Sequence, residues 1–191
     1  FRIYARETEA DTLLDTLVRM KGSVPVLVGS AGVGKTTVVS GAVQKTMLGK
    51  FPKGDAHAKA LRNSVWISTT PSRILDNIPG RSDAARIETF FDAIIALEQQ
   101  FQRPFIVFID EMHTLDRECV EAMLPYLDSR DKNIKLVGAS NSNKFQLAFK
   151  ENEAWLRRVQ QLGVEELDEA TTLNTLRQYW IPEIEKRYGV V

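Results

Sequence analysis

The chain has 191 residues, 43% of them hydrophobic and 26% charged, which suits one globular domain whose core needs no disulfide or metal staple. Its 25 Lys and Arg balance 25 Asp and Glu, so zero net charge argues against a chain that mainly coats nucleic acid or an anionic membrane. Apolar runs such as FIVFI at 105–109 are too short to span a bilayer, and a lone cysteine, Cys119, excludes an internal disulfide framework.

Short β-rich runs alternate with longer helical patterns, without internal repeats or a Pro/Gly/Ser-rich linker. A helix is expected over 8–20, where Leu13, Leu14, Leu17 and Val18 recur at helical spacing. VPVLV at 24–28 reads as a strand and 36–48 as the helix after it. The stretch 51–63 reads as a polar surface connection leading to a strand, SVWIST, at 64–69. Residues 83–102 place Ile87, Phe90, Phe91, Ile94, Ile95 and Leu97 mostly on one helical stripe. FIVFID at 105–110 is apolar on both alternating faces, as an inner strand of a parallel sheet would be. A helix over 116–129 contains Pro125, expected to kink or end it, and Cys119, expected to pack as a small hydrophobe. Strands follow at 134–140 (IKLVGAS) and 159–164 (VQQLGV). A last helix should run from an Asp168 N-cap to Tyr188, with Gly189 beyond it and a kink at Pro182. The alternation predicts an α/β fold of three layers, αβα, around a five-stranded, mostly parallel sheet.

The sharpest motif is GSAGVGKT, Gly29 to Thr36, between a strand and a helix. Gly29, Gly32 and Gly34 let backbone N–H groups of the loop (Ser30, Ala31, Val33, and on to Thr37) turn toward phosphate oxygens, a path that side chains would obstruct. The helix that follows points its positive end at the same anion. In such a phosphate loop Lys35 reaches the β- and γ-phosphates of a nucleotide and the Thr36 hydroxyl ligates Mg²⁺.

A second motif, FIDEMH, ends a buried strand in two adjacent carboxylates. Next to a phosphate loop, Asp110 can hold Mg²⁺, and Glu111, pointing elsewhere, can activate the attacking water. A kinase acceptor brings its own nucleophile, so this pair favours hydrolysis. Ser140 and Asn141 form a polar strand tip. Asn141 either touches the γ-phosphate or its water, or serves ordinary turn chemistry. Arg157 and Arg158 either stabilise charge on a phosphoryl group, in the neighbouring subunit if they face outward, or pair with Glu151 or Glu153.

Taken in order, these segments resemble the AAA+ ATPases, and within them the first ATPase module of Clp-family unfoldases and disaggregases. ARETEADTLLDTL at 5–17 is similar to the family's entry helix, 24–39 to its Walker A region and FIVFIDEMHTL at 105–115 to its Walker B strand. VGASNSNKF at 137–145 resembles its sensor-1 turn, and ENEAWLRRVQ at 151–160 the segment carrying its arginine fingers. The resemblance implies ATP·Mg²⁺ hydrolysis in a ring, usually a hexamer, acting on a protein substrate or adaptor. It makes Asn141 or Ser140 the sensor, Arg157 and Arg158 trans fingers, and lays Ile3 and Tyr4 against the adenine. It also divides the chain into a nucleotide-binding part at 1–167 and the first helix of a lid at 168–191. One departure stands out: the family's pore loop carries an aromatic residue, whereas 74–88 has none before Phe90. The alternatives are an AAA+ ATPase acting on nucleic acid, such as a helicase loader or transposition regulator, and a nucleotide-gated scaffold with little turnover. The start at Phe1, without a signal-peptide pattern, reads as a piece of a longer cytoplasmic protein.

Overall fold

Five strands, β1 (Val24–Val28), β2 (Val65–Thr69), β3 (Phe105–Ile109), β4 (Lys135–Ser140) and β5 (Val159–Gly163), form one sheet in the order β2-β3-β4-β1-β5. Every neighbouring pair is parallel. This arrangement is that of a computed structural model, which describes residues 5–19, 23–51, 61–128 and 134–189. β3 is buried at all five residues, as its two-faced apolar pattern predicts. Alternation divides its side chains between two cores. Ile106 and Phe108 pack with Leu13, Leu14, Val38 and Val137 on one face. Val107 and Ile109 pack with Phe91, Ile94, Phe145 and Trp155 on the other. Helices α1 (Glu7–Arg19) and α2 (Lys35–Leu48) cover the first face. The second is covered by α4 (Asp83–Phe101) and α5 (Arg117–Asp128), after a short α3 (Pro71–Asn77) that follows β2. The three layers are therefore those expected, each fully buried Leu, Ile or Phe contributing about 1.5–3 kcal/mol.

Three short helices have no periodic stripe long enough to announce them: α3, α6 (Ser142–Phe149) and α7 (Glu153–Leu156). Each starts instead at a side-chain cap, Thr70, Asn141 and Asn152 respectively. Other differences concern prolines and burial. α5 runs through Pro125 to Asp128 rather than ending there. Just before Pro182, where a kink is expected, a five-residue π-helical stretch, Leu176–Trp180, lies between α8 (Glu169–Thr175) and α9 (Ile181–Tyr188). Widening the turn accommodates a residue without an N–H to donate. The start of this helix is as expected: Asp168 accepts from Thr171 N at 2.8 Å, and that backbone N–H holds its carboxyl below the usual value. Gly189, at φ 63°, closes its end. Of the expected polar connection at 51–63, Arg62 and Asn63 are exposed but Leu61 is fully buried; residues 52–60 lie outside the described residues. Cys119 is 1% exposed in the core, and its burial pushes the thiol up to about 12.

Candidate functional site

The carboxyl ends of β1, β4 and β3 lie side by side, and the loop after β1 spans Gly29 to Gly34. Its glycines are structural requirements. A Cβ at Gly29 would lie 2.3 Å from the Val164 carbonyl oxygen, and Gly32 and Gly34 sit at φ 81° and 97°. Gly34 is the N-cap of α2 and brings no side chain to its first N–H groups, leaving those donors for an anion. Ser30 and Ala31 are exposed at the loop's crest, and Thr36 and Thr37 are exposed on the first turn of α2. Lys35 is buried, its Nζ donating to Gly29 O at 3.0 Å and Ser30 O at 2.8 Å. The ammonium thus lies inside its own loop, within reach of whatever the loop encloses.

Sequence reasoning gives Arg6 no role, yet the residue is 4% exposed and its guanidinium holds this loop from behind. Nη2 donates to Val33 O and to Glu165 O, both at 2.6 Å, and Nη1 pairs with Glu9 at 2.5 Å. No local pattern signals this, because the carbonyls it joins are 27 and 159 residues away.

The acidic pair follows β3. β3 does not adjoin β1 in the sheet, because β4 lies between them. Asp110 nevertheless meets the loop, its Oδ2 accepting from the Thr36 hydroxyl at 3.4 Å while Oδ1 accepts from Glu111 N at 2.9 Å. Thr36 on α2 reaches over the intervening strand. Glu111 is in the left-handed region at φ 53°, which costs a non-glycine residue on the order of 1–3 kcal/mol, and its side chain is exposed. Its Oε2 lies 3.2 Å from His113 Nε2, and His113 Nδ1 lies 3.0 Å from Ser140 Oγ. Burial lowers the pKa of His113; Glu111 opposes this, while Lys144 and Lys35 add to it.

Asn141 shows the turn chemistry that is one of its two expected roles. Its Oδ1 caps α6, accepting from Asn143 N at 3.1 Å and Lys144 N at 3.4 Å. The cap uses the amide oxygen, so the NH₂ group is the end with donors for a ligand. Arg157 and Arg158 are not part of this cluster. They precede β5 at the amino end of the sheet, where Arg158 O accepts from Val24 N at 2.6 Å. A five-residue strand separates them from the phosphate-loop end by roughly 17 Å. Arg157 is exposed and pairs with Glu153 at 3.2 Å, the bland partner expected from spacing, while Arg158 bonds Ala154 O. Ile3 and Tyr4, expected against an adenine, lie outside the described residues.

These residues fit Mg²⁺ and a nucleotide. Among the described residues there is no cluster of three His, Cys, Asp or Glu side chains, and a cation shared with phosphate oxygens requires only the Thr36 hydroxyl and one carboxylate. The family profile described as "AAA ATPase domain" matches residues 2–137. The chain belongs to the AAA ATPase domain family. Among curated AAA relatives it is 30% identical to chaperone protein ClpB of Yersinia enterocolitica, over 98% of this chain and 21% of that protein. It is 29% identical to ClpB of Malacoplasma penetrans, over 94% of this chain and 26% of that protein. The chain therefore spans about a fifth to a quarter of the length of these relatives. Among solved structures it is similar to a Saccharomyces cerevisiae Hsp104–ADP complex, with a TM-score of 0.80 and 24% identity over 99% of this chain and 26% of that one. A closed-state Hsp104 with ATPγS and FITC casein matches with a TM-score of 0.78 and 25% identity over 98% of this chain and 31% of that one.

Proposed function

We propose that this AAA domain binds and hydrolyses Mg·ATP as a Clp-type module and works within a cytoplasmic ring, a hexamer by resemblance, that remodels a protein partner. The observation that carries the reading is the meeting of Thr36 with Asp110 beside a glycine loop that already encloses the Lys35 ammonium. The N–H groups of Gly29 to Thr37 and Lys35 would bind the phosphates, with Lys35 exchanging two neutral carbonyls for phosphate oxygens. Thr36 and Asp110 would hold Mg²⁺, which when bound neutralises charge on those oxygens. Glu111 would take a proton from the attacking water as its oxygen bonds the γ-phosphorus and the bond to the β-phosphate oxygen breaks. A base in this role contributes typically about 10²–10⁴-fold. The Asn141 NH₂ would orient that water or a γ-phosphate oxygen.

Arg157 and Arg158, at the opposite end of their own sheet, would complete the site of an adjacent copy. Residues 168–191 would begin a helical lid, and Ile3 and Tyr4 would contact the adenine. Support for the Clp type comes from ClpB proteins aligning along nearly the whole chain. The grip on a threaded polypeptide does not extend to Phe90, which is half-buried in α4, edge-on to Phe91 at 5.3 Å. Turnover per subunit, measured as protein concentration rises at saturating Mg·ATP, tests the reading. A rise supports a site formed between copies. A substantial rate independent of concentration removes the arginines from the mechanism, and no turnover at any concentration removes the hydrolase.

A further inference from the structure

His113 is a buried, titratable side chain in this site to which the proposed mechanism gives no task. Its imidazole is 7% exposed and spans two functional elements, with Nε2 at 3.2 Å from Glu111 Oε2 and Nδ1 at 3.0 Å from Ser140 Oγ. Ser140 is fully buried, ends β4 and directly precedes Asn141. The placement is enforced by packing. His113 lies in a one-turn 3₁₀ helix, Met112–Thr114, whose Thr114 N and Oγ1 both bond Glu111 O at 3.0 Å. Met112 presses on β4 at Gly138, where a Cβ would lie 2.8 Å from its sulfur. A side chain at 138 would lift the turn, and His113 with it, from the strand.

The hydrogen arithmetic of this triad permits two arrangements. The Ser140 hydroxyl has one proton and two acceptors at 3.0 Å, Asn141 O and His113 Nδ1. When it points at Nδ1, a neutral ring carries its proton on Nε2 and donates to the Glu111 carboxylate. When it points at Asn141 O, Nδ1–H donates to Ser140, and the ring offers Glu111 only a lone pair. Passing between them couples rotation of one hydroxyl, onto or off the backbone of the candidate γ-phosphate sensor, to a change of tautomer in which the ring gives up its Nε2 proton to solvent and takes one on Nδ1, and this decides whether Glu111 is held or released. The charged groups around the ring are Glu111 and Asp110, which favour its cation, and Lys144 and Lys35, which with burial oppose it. A neutral ring is the form in which the two arrangements differ.

We infer that His113 is a positioning residue that couples the tip of β4 to Glu111, donating from Nε2 to hold the carboxylate according to how Ser140 and Asn141 are set. This rests on the reading of Glu111 as the base. The test compares His113→Gln with His113→Asn in the full chain, measuring kcat and KM for Mg·ATP, with Glu111→Gln alongside. A Gln amide reaches the Nε2 position and an Asn amide the Nδ1 position. His113→Gln should keep most of kcat, and His113→Asn should lose about 10²-fold, the order of loss that a misplaced catalytic group brings, with KM little changed. Ser140→Ala, which leaves an apolar side chain in a buried place, should lower kcat by less than His113→Asn. Equal kcat in the Gln and Asn variants, or losses confined to KM, would overturn the proposal while leaving Glu111 as base. Full turnover in Glu111→Gln would overturn the base reading itself, without reference to any His113 variant.

Discussion

The two ends of the parallel sheet are built differently. At the carboxyl end, β1, β3 and β4 deliver Lys35, Thr36, Asp110, Glu111, His113, Ser140 and Asn141 into one hydrogen-bonded cluster. At the amino end, Arg157 and Arg158 follow a single helical turn whose Trp155 is completely buried against Phe149. One end is assembled from contacts far apart in sequence; the other is a local mount that carries an exposed Arg157 paired with Glu153 and a half-buried Arg158 bonded to Ala154 O. The lesson is geometric. Strand length alone puts the backbone of the arginines roughly 17 Å from the phosphate-loop end of the sheet, and the role proposed for them is accordingly on the phosphate of another copy.

The proposed division of labour is most sharply broken at the amino end. Arg157→Ala or Arg158→Ala should fold and bind ATP yet lose about 10³–10⁵ in turnover, the contribution of a trans arginine. Mixing an arginine variant with Glu111→Gln, itself expected to lose about 10²–10⁴ while keeping ATP binding, should restore part of the rate. The reason is that some neighbouring pairs then unite an intact base with an intact arginine. Turnover assays of single and mixed variants check this, and a mixture no faster than its parts would place both functions within one copy.

The mount itself is the next target. Trp155→Ala should destabilise the chain by about 3–5 kcal/mol in urea unfolding, as for other fully buried aromatics. Ile184→Ala, on an exposed helix, should stay within about 0.5 kcal/mol. A small Trp155 effect would mean that the arginines are carried on a loose segment. At the carboxyl end, Arg6→Met removes the bonds from behind the phosphate loop. Nucleotide affinity, read by titration with a fluorescent ATP analogue, should fall by about 10-fold, the equivalent of one charged hydrogen bond of roughly 1.5 kcal/mol. Unchanged affinity would show that the glycines hold the loop unaided.

The smallest effect lies outside both ends. The Asp168 carboxyl is held below its ordinary value by the Thr171 backbone N–H, so the folded state favours its ionised form. Its contribution to the α8 cap is present above the unfolded carboxylate range, near pH 4, and is lost as pH falls through the lower folded value. A slight loss of helical circular dichroism below about pH 4, absent in Asp168→Asn, is the expected signature. An equal loss in that variant would assign it to other carboxylates.

How much of this was legible in the chain follows from how far each interaction reaches. The strands, the long helices and the phosphate loop are local: alternation, a 3.6-residue period and glycine spacing need no tertiary contact to be read. Asp168 and Gly189 also declare themselves, because caps act within one turn. Short helices α3, α6 and α7 do not, since one or two turns carry too few apolar positions to show a period. Pro125 and Pro182 were legible only as breaks in a helical pattern: that α5 would continue past the first to Asp128, and that π-helical turns would precede the second, depends on packing and backbone relaxation that a local pattern does not carry. The sequence by itself therefore determined the αβα class, the loop's chemistry and the candidate acidic pair. Tertiary structure alone decided that β4 would separate β3 from β1, that Arg6 would clamp the loop, that His113 would bridge Glu111 and Ser140, and that the arginines would stand at the opposite end of the strands. Each of these joins residues whose separation along the chain leaves no periodic trace, and only strand order brings them together or holds them apart.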